Sequence, residues 1–205
     1  RGSIFIYNTI DYKNNILEER FMDNKSLKIT ITAMAVVINI VLGTVVSAIK
    51  IPFLFMDTLG TVFAAITLGP LYGAIAGGVS NIIMSLGNPA SMPYALVNIA
   101  VGVIAGFMAI KFRFNIKIAI ITGVILGIVC PLIGTPITIF LGGGFSGGAI
   151  DVVVAFLRQT GQSIFIATFV PRVFSNMIDK IATCIIASII KNKIPKRLST
   201  KLEEV

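Results

Sequence analysis

The stretch MDTLGTVFAAITLGPLYGAIAGGVSN, residues 56–81, decides how the rest of the chain is interpreted. It joins two apolar segments through Gly69-Pro70. Gly is typical of the position that ends a helix, and Pro is typical of the first position of the next one. After this break Gly69, Gly73 and Gly77 recur at four-residue spacing, so they share one helix face that another helix can approach closely. The stretch predicts two membrane helices joined by a tight turn.

The composition of the whole chain is that of an integral membrane protein. Of its 205 residues 56% are hydrophobic and only 13% are charged, whereas a soluble domain carries roughly 25% charged residues. The length leaves room for about six spans of ~20 residues. We therefore expect an all-α protein in which residues 22–205 form one membrane domain of six transmembrane helices. Residues 1–21, which precede Met22, are expected to be an amphipathic or disordered tail that is a leader or an addition from an expression vector.

The absence of histidine restricts the chemistry of this chain. It excludes Ser-His and Cys-His nucleophilic catalysis and most catalytic zinc sites. No phosphate loop ending in Gly-Lys-Ser/Thr is present, so the chain is not expected to hydrolyse ATP alone. We expect no enzymatic activity, no metal site and no cofactor. Cys130 and Cys184 lie in separate apolar runs and are expected to be buried free thiols.

The positive charges predict the orientation in the membrane. The net charge is +8, and cations cluster in residues 25–28, 111–117 and 191–201. Lys and Arg are enriched in cytoplasmic loops, so both termini are expected in the cytoplasm, which requires an even number of crossings. The predicted spans are residues 27–49, 55–68, 70–86, 94–110, 118–141 and 174–190. Residues 151–171 are therefore expected to form an extracellular or re-entrant helix before the last span.

The second half of the chain contains two irregular features. Pro131, Gly134 and Pro136 interrupt the fifth span, which is typical of a broken helix that lines a cavity, although a simple kink is the alternative. The sequence GGGFSGG at residues 142–148 predicts a hinge. We expect residues 142–172 to act as a lid that closes over a bound ligand.

Two motifs carry a resemblance to a known family. The chain resembles the S components of energy-coupling-factor (ECF) transporters over most of residues 25–193. The motifs are Asp57-Thr58-Leu59-Gly60, Gly69-Pro70, Gly73, Gly77 and Asn81, followed by Asn176-Met177-Ile178-Asp179-Lys180. The resemblance implies the substrate-capture subunit of a bacterial importer in the cell membrane, with a membrane coupling subunit and two ATPase subunits as partners. The alternatives are a self-sufficient small transporter or channel and, less favoured, an intramembrane enzyme.

The resemblance also implies a docking face for the coupling subunit on the first helix. Small residues at four-residue spacing let two helices approach closely. The stripe consists of Ala35, Asn39, Gly43 and Ser47. Asn39 departs from the small apolar residue of the family pattern. The alternative is that this stripe packs against the helices of the chain itself.

The polar residues of the outer half predict a ligand site, because ionisable groups at membrane depth usually face a cavity or a partner. The candidate substrate-binding residues are Asp57, Asn88, Tyr94, Asn98, Arg158, Gln159, Gln162, Asn176, Asp179 and Lys180. Side chains of adjacent helical residues point about 100° apart, so Asp179 and Lys180 are not expected to pair with each other. Either would pair instead with Arg172, Arg158 or Asp57, and a purely structural ion pair is the alternative. Together with nearby aromatic residues, these groups suit a compact heteroaromatic vitamin, nucleobase or nucleoside.

Overall fold

Every regular element of the chain is helical in the part that the computed structural model describes, which is residues 2–49, 51 and 53–193, with side chains from Lys25 onward. The all-α class is therefore confirmed. The helices are α1 (Gly2–Ile49), α2 (Leu59–Leu68), α3 (Pro70–Met84), α4 (Ala95–Lys111), α5 (Ile116–Gly142), α6 (Asp151–Gln159) and α7 (Ile164–Lys193), with a short 3₁₀ turn at Pro89–Ser91.

The predicted turn between α2 and α3 is present. Gly69 ends α2 with a φ of 102°, a backbone conformation that favours glycine, and Pro70 is the first residue of α3. Lys191 donates a hydrogen bond to the carbonyl of Ile66, and the ammonium of Lys28 lies 5.8 Å from the ring centroid of Tyr72. The turn therefore lies at the same end of the bundle as Lys28 of α1 and the basic residues that end α7.

Within the described residues, four segments are long and apolar enough to cross a membrane, rather than the six expected. They are Lys25–Ile49, Pro89–Lys111, Ile116–Gly142 and Ile164–Lys193. The helices α2 and α3 have 10 and 15 residues. At 1.5 Å per residue they are about 15 and 22 Å long, which is less than the ~30 Å hydrocarbon core. The prediction of six transmembrane helices is not confirmed.

The predicted boundaries in the second half of the chain are wrong in two places. Residues 151–171 do not form one helix before the last span, because the chain turns at Gly161, where φ is 84°, and α7 already begins at Ile164. Pro171 lies inside α7, and Pro131 and Pro136 lie inside α5 without ending it. Proline removes one backbone hydrogen bond and strains the preceding turn, but neighbouring helices can hold such a helix together in a membrane.

Glycine contacts set the spacing of the first four helices. A Cβ added to Gly60 would overlap the carbonyl oxygen of Ala35 on α1, and one added to Gly77 would lie 2.5 Å from the carbonyl oxygen of Asn98 on α4. Gly73 lies against both Ala65 and Gly102. The close approach predicted for the glycine face of α3 is therefore present. Around these contacts the apolar core joins α2, α4, α5 and α7.

We expect the substitution Gly60→Ala to destabilise the protein by about 1–3 kcal/mol, the usual cost of overpacking. The reason is that the new methyl group meets a backbone oxygen, which cannot rotate away as a side chain can. Helix propensity alone would give a gain of about 1 kcal/mol, so the sign of the change is informative. The measurement is the thermal unfolding temperature of the purified protein in detergent.

The matched control is Gly87→Ala, because the nearest atom to an added Cβ there is 3.8 Å away and the residue is exposed. It should unfold at the temperature of the wild type. An unchanged or raised unfolding temperature for Gly60→Ala would contradict the tight contact between α1 and α2.

Candidate functional site

A cavity of about 390 Å³ lies at the end of the bundle away from the basic loops. The C-terminal ends of α1, α3 and α5 and the N-terminal ends of α2, α4 and α7 form its walls, and residues 141–149 cover one side. Six of the predicted site residues line it: Asp57, Asn88, Tyr94, Asn98, Asn176 and Lys180. Phe55, Tyr94 and Phe145 add aromatic surface. The size and the mixed lining are typical of a site for a small organic molecule.

A buried ion pair between Asp179 and Lys180 lies beside this cavity, and Lys180 lines it. The Lys180 ammonium lies 2.7 Å from Oδ2 of Asp179, 2.9 Å from the Thr58 hydroxyl and 3.4 Å from Oδ1 of Asp57. The expectation that the two adjacent residues would not pair is wrong. The two Cα–Cβ bonds do diverge, but the four methylene groups of lysine let the ammonium fold back to the carboxylate. The ion pair with Asp57 is one of those expected.

Asp179 also holds the loop that precedes α2. Its Oδ1 accepts hydrogen bonds from the backbone N–H groups of Phe55 and Met56, at 2.8 and 2.9 Å. Met56 has a φ of 53°, in the left-handed region that bulky side chains disfavour. The carboxylate therefore stabilises a strained backbone, which turns the chain so that Asp57 and Thr58 face Lys180. Asp179 is fully buried and supports the cavity without lining it.

A chain of buried amides and hydroxyls connects four helices beside the cavity. The Nδ2 of Asn39 donates to the hydroxyls of Thr61 and Ser80, and its Oδ1 accepts from the N–H of Gly60. Thr61 donates to Asn98, whose Nδ2 donates to Asn81 at 2.8 Å. Each amide is satisfied by another buried group, so this network fixes the positions of α1, α2, α3 and α4 relative to one another.

Three of the four stripe residues on α1 are buried within this chain, and Ser47 is exposed. Ala35 and Asn39 are buried against α2 and α3, whereas Gly43 and Ser47 line the cavity. These contacts favour the alternative interpretation, packing against the protein's own helices. Four-residue spacing shows which residues share a helix face but does not show which neighbour covers it. Docking of a partner on this stripe stays a prediction that these contacts do not support.

Besides Asp179, three further predicted site residues lie outside the cavity lining. Arg158 and Gln159 end α6, and Gln162 lies in the following turn, where all three are exposed. Arg158 instead donates a hydrogen bond to the carbonyl of Gly143, 3.1 Å away. Asp151 at the start of α6 accepts hydrogen bonds from the N–H groups of Ser146 and Gly147. The short helix therefore contacts the glycine-rich segment, and that segment contacts the cavity.

The structure adds Arg172 to the site. The sequence suggested it as an ion-pair partner for Asp179, yet among the described residues the two form no ion pair. Its side chain is 93% buried and lines the cavity. The signal in the sequence was an arginine at membrane depth with no acidic residue three or four positions away on its helix. That pattern predicts either a distant partner or a ligand.

We expect Asp179→Leu to lower the free energy of unfolding by about 3–5 kcal/mol, because it leaves a buried lysine without its nearest partner. It also removes the acceptor of two N–H groups in a strained loop. Asp179→Asn serves as the matched variant, because its amide oxygen can still accept from Phe55 and Met56. Thermal unfolding should rank the stabilities as wild type, then Asp179→Asn, then Asp179→Leu. Equal unfolding temperatures for the two variants would show that the loop contacts contribute nothing.

Comparison with known proteins identifies the family. Residues 27–191, most of the chain, match the model of the family described as "ECF transporter, substrate-specific component". No curated protein and no solved structure matches the chain. The family is one of transporters rather than of enzymes, and the apolar helices make the chain a multi-pass membrane protein. The chain belongs to the substrate-specific components of ECF transporters.

Proposed function

We propose that this protein binds a small water-soluble compound of the vitamin or nucleoside class from outside the cell and delivers it inward as part of an ECF importer. The observation that carries the proposal is the cavity of about 390 Å³ with its aromatic and polar lining. Family membership supports a substrate-binding role. The partners would be a membrane coupling subunit and two ATPase subunits, since this chain has no phosphate loop of its own.

The distribution of charge supports access from outside. Lys111, Arg113 and Lys117 lie between α4 and α5, and Lys191 and Lys193 end α7, all at the end of the bundle away from the cavity. Basic residues mark the cytoplasmic side. With the basic end inside a bacterial cell, the cavity lies toward the external medium. Lys25 and Lys28 of α1 and the basic residues that end α7 then lie in the cytoplasm. We retain six crossings for this topology, in which α2 and α3 are short.

The glycine-rich segment supports a gate over the cavity. Leu141, Phe145 and Ser146 face the cavity, and Gly143, Gly144 and Gly147 have positive φ values of 59°, 98° and 79°. These residues turn the chain back over the cavity mouth, and hydrogen bonds to Asp151 hold the segment to α6. Residues 141–149 form the part of the expected lid that touches the ligand, while α6 anchors it from outside.

A self-sufficient transporter is the second candidate, and the buried Asp57–Lys180–Asp179 group favours it. Such charges within a membrane protein are typical of ion-coupling sites. Proteoliposomes separate the two functions. A substrate-specific component should bind its substrate when purified alone and should catalyse uptake only with the ATPase and coupling subunits, whereas a self-sufficient carrier should catalyse flux by itself.

We expect Gly134→Leu to reduce substrate binding at least about ten-fold without unfolding the protein. Gly134 lines the cavity, and an added Cβ there lies 3.8 Å from Tyr94 and Val97, so a leucine side chain would extend into the space between them. The measurement is the amount of small molecule that co-purifies, quantified by mass spectrometry and followed by calorimetry with the identified compound.

The control is Gly87→Leu, which makes the same change at an exposed position outside the cavity lining. It should retain wild-type binding. Full binding by Gly134→Leu would show that the substrate does not occupy this cavity.

We expect a membrane-impermeant maleimide applied to intact cells to label Thr160→Cys and to spare Arg113→Cys. Both positions are exposed, and they lie at opposite ends of the bundle. Cys130 and Cys184 are buried, so labelling of the native thiols should be low. After lysis both variants should react. Labelling of Arg113→Cys from outside would overturn the orientation.

A further inference from the structure

We infer that the substrate carries a carboxylate or phosphate group and that Arg172 binds it. This inference rests on the proposed function and deepens it by naming a chemical class. The Arg172 side chain lines the cavity and is only 7% exposed. Its Nε and Nη2 are buried, and neither has a hydrogen-bond partner within the described part of the chain.

The carboxylates of the described region are engaged elsewhere. Three acidic side chains lie between Lys25 and Lys193, and none forms an ion pair with Arg172. Asp57 and Asp179 contact Lys180. Asp151 accepts hydrogen bonds from Ser146 and Gly147, and it interacts with Arg172 only beyond ion-pair distance. Among the described residues, the guanidinium is therefore the cavity-lining cation that has no carboxylate in direct contact.

Lys180 provides a contrast to Arg172, whose buried guanidinium nitrogens Nε and Nη2 have no partner among the described residues. The lysine is also buried in the cavity wall, but it has two carboxylates and a hydroxyl within 3.4 Å. A buried charge without a partner destabilises a protein, and more so at membrane depth. A ligand anion supplies the missing partner. Arginine presents two parallel N–H groups that match a carboxylate or phosphate in a two-point contact.

The surroundings of Arg172 add polar contacts for the same group. Tyr94 and Asn176 line the cavity with it. The Tyr94 hydroxyl lies 2.6 Å from the Thr138 hydroxyl, and Asn176 donates to the backbone carbonyl of Arg172, which leaves the amide oxygen of Asn176 for a ligand donor. Arg172 is thus held on a helix with polar groups beside it that could bind the same anion.

The position of Arg172 also restricts the length of the ligand. Lys180 follows it by eight residues on α7, which is about 12 Å along the helix. At that far end the Asp57 side chain is 40% exposed and forms only the 3.4 Å contact with Lys180, so it can accept hydrogen bonds from N–H or O–H groups. The cavity therefore suits an extended molecule with an anionic group at one end and donor groups at the other. Neutral nucleobases and nucleosides lack the first feature.

The first test measures the stability of washed, ligand-free protein. Arg172→Met should unfold at the same temperature as the wild type or at a higher one, because it removes a buried charge that has no partner. A structural role for Arg172 predicts the opposite, a clearly lower unfolding temperature, and that result would overturn the inference. Lys180→Met provides the contrast and should lower the unfolding temperature, because it leaves Asp179 unpaired.

The second test identifies what the protein binds. Small molecules extracted from purified wild type, Arg172→Met and Arg113→Met are identified by mass spectrometry in both ion modes. Arg113 is exposed at the end of the bundle away from the cavity and serves as the matched control. Binding is also measured for matched pairs in which only the acid is replaced: nicotinate and nicotinamide, pantothenate and panthenol, and biotin and biotinamide. We expect the compound that binds wild type to carry a carboxylate or phosphate. Its binding should fall about ten-fold to a hundred-fold in Arg172→Met and stay unchanged in Arg113→Met.

The outcomes separate this inference from the proposed function. A bound compound that is neutral or cationic, or an anionic compound held equally well by Arg172→Met, would overturn the anionic class and leave substrate capture standing. Equal affinity for the neutral compound and the acid of one pair would also overturn the anionic class and leave substrate capture standing. If nothing co-purifies and no acid of the panel binds, the proposed function fails together with the inference.

Discussion

The carboxylate of Asp179 is the interaction on which the site depends. With one oxygen it pairs with Lys180, and with the other it accepts two N–H groups of the loop before α2. One buried charge therefore joins α7 to a segment more than a hundred residues earlier in the chain. Lys180 in turn fixes Asp57 and Thr58. Without this group, the strained loop at Met56 would lose the two hydrogen bonds from its backbone N–H groups to the carboxylate, which compensate its backbone conformation.

Glycine contacts and the hydrogen bonds of buried amides hold the helices in position relative to one another. Membrane helices gain little from the hydrophobic effect when they associate, because lipid is as apolar as their side chains. Close backbone approach at Gly60, Gly73 and Gly77 and the hydrogen bonds of Asn39 and Asn98 supply the attraction instead. The hydrogen-bond network that holds the bundle together therefore also forms one wall of the cavity. A substitution in the network should alter the shape of the cavity.

The sequence predicted correctly the features that depend on composition and on residues adjacent in the chain. The all-helical class follows from composition, and the α2–α3 turn follows from Gly69-Pro70, because glycine tolerates the positive φ of the turn and proline fixes a φ suited to the first residue of a helix. The predicted start of the last helix, residue 174, was wrong. The helix begins at Ile164, because a proline that would end a helix in water is tolerated at Pro171 within a bundle. The pairing of Asp179 with Lys180 depends on lysine flexibility, which helical geometry does not describe. The role of Arg172 depends on where every acidic side chain lies in three dimensions, and periodicity contains no such information.

The shortness of α3 has a consequence for the surrounding lipid. Its outer face presents an apolar stripe of Leu71, Ile75, Val79 and Ile82, along a helix about 22 Å long. Hydrocarbon that is ~30 Å thick elsewhere must thin where it meets this stripe, or the helix must tilt less than its neighbours, at a cost of a fraction of a kcal/mol per Å. Thinning would deform the bilayer on the side of the protein where α3 lies. Such an asymmetry would make the tilt of the subunit depend on membrane thickness, and therefore on lipid chain length.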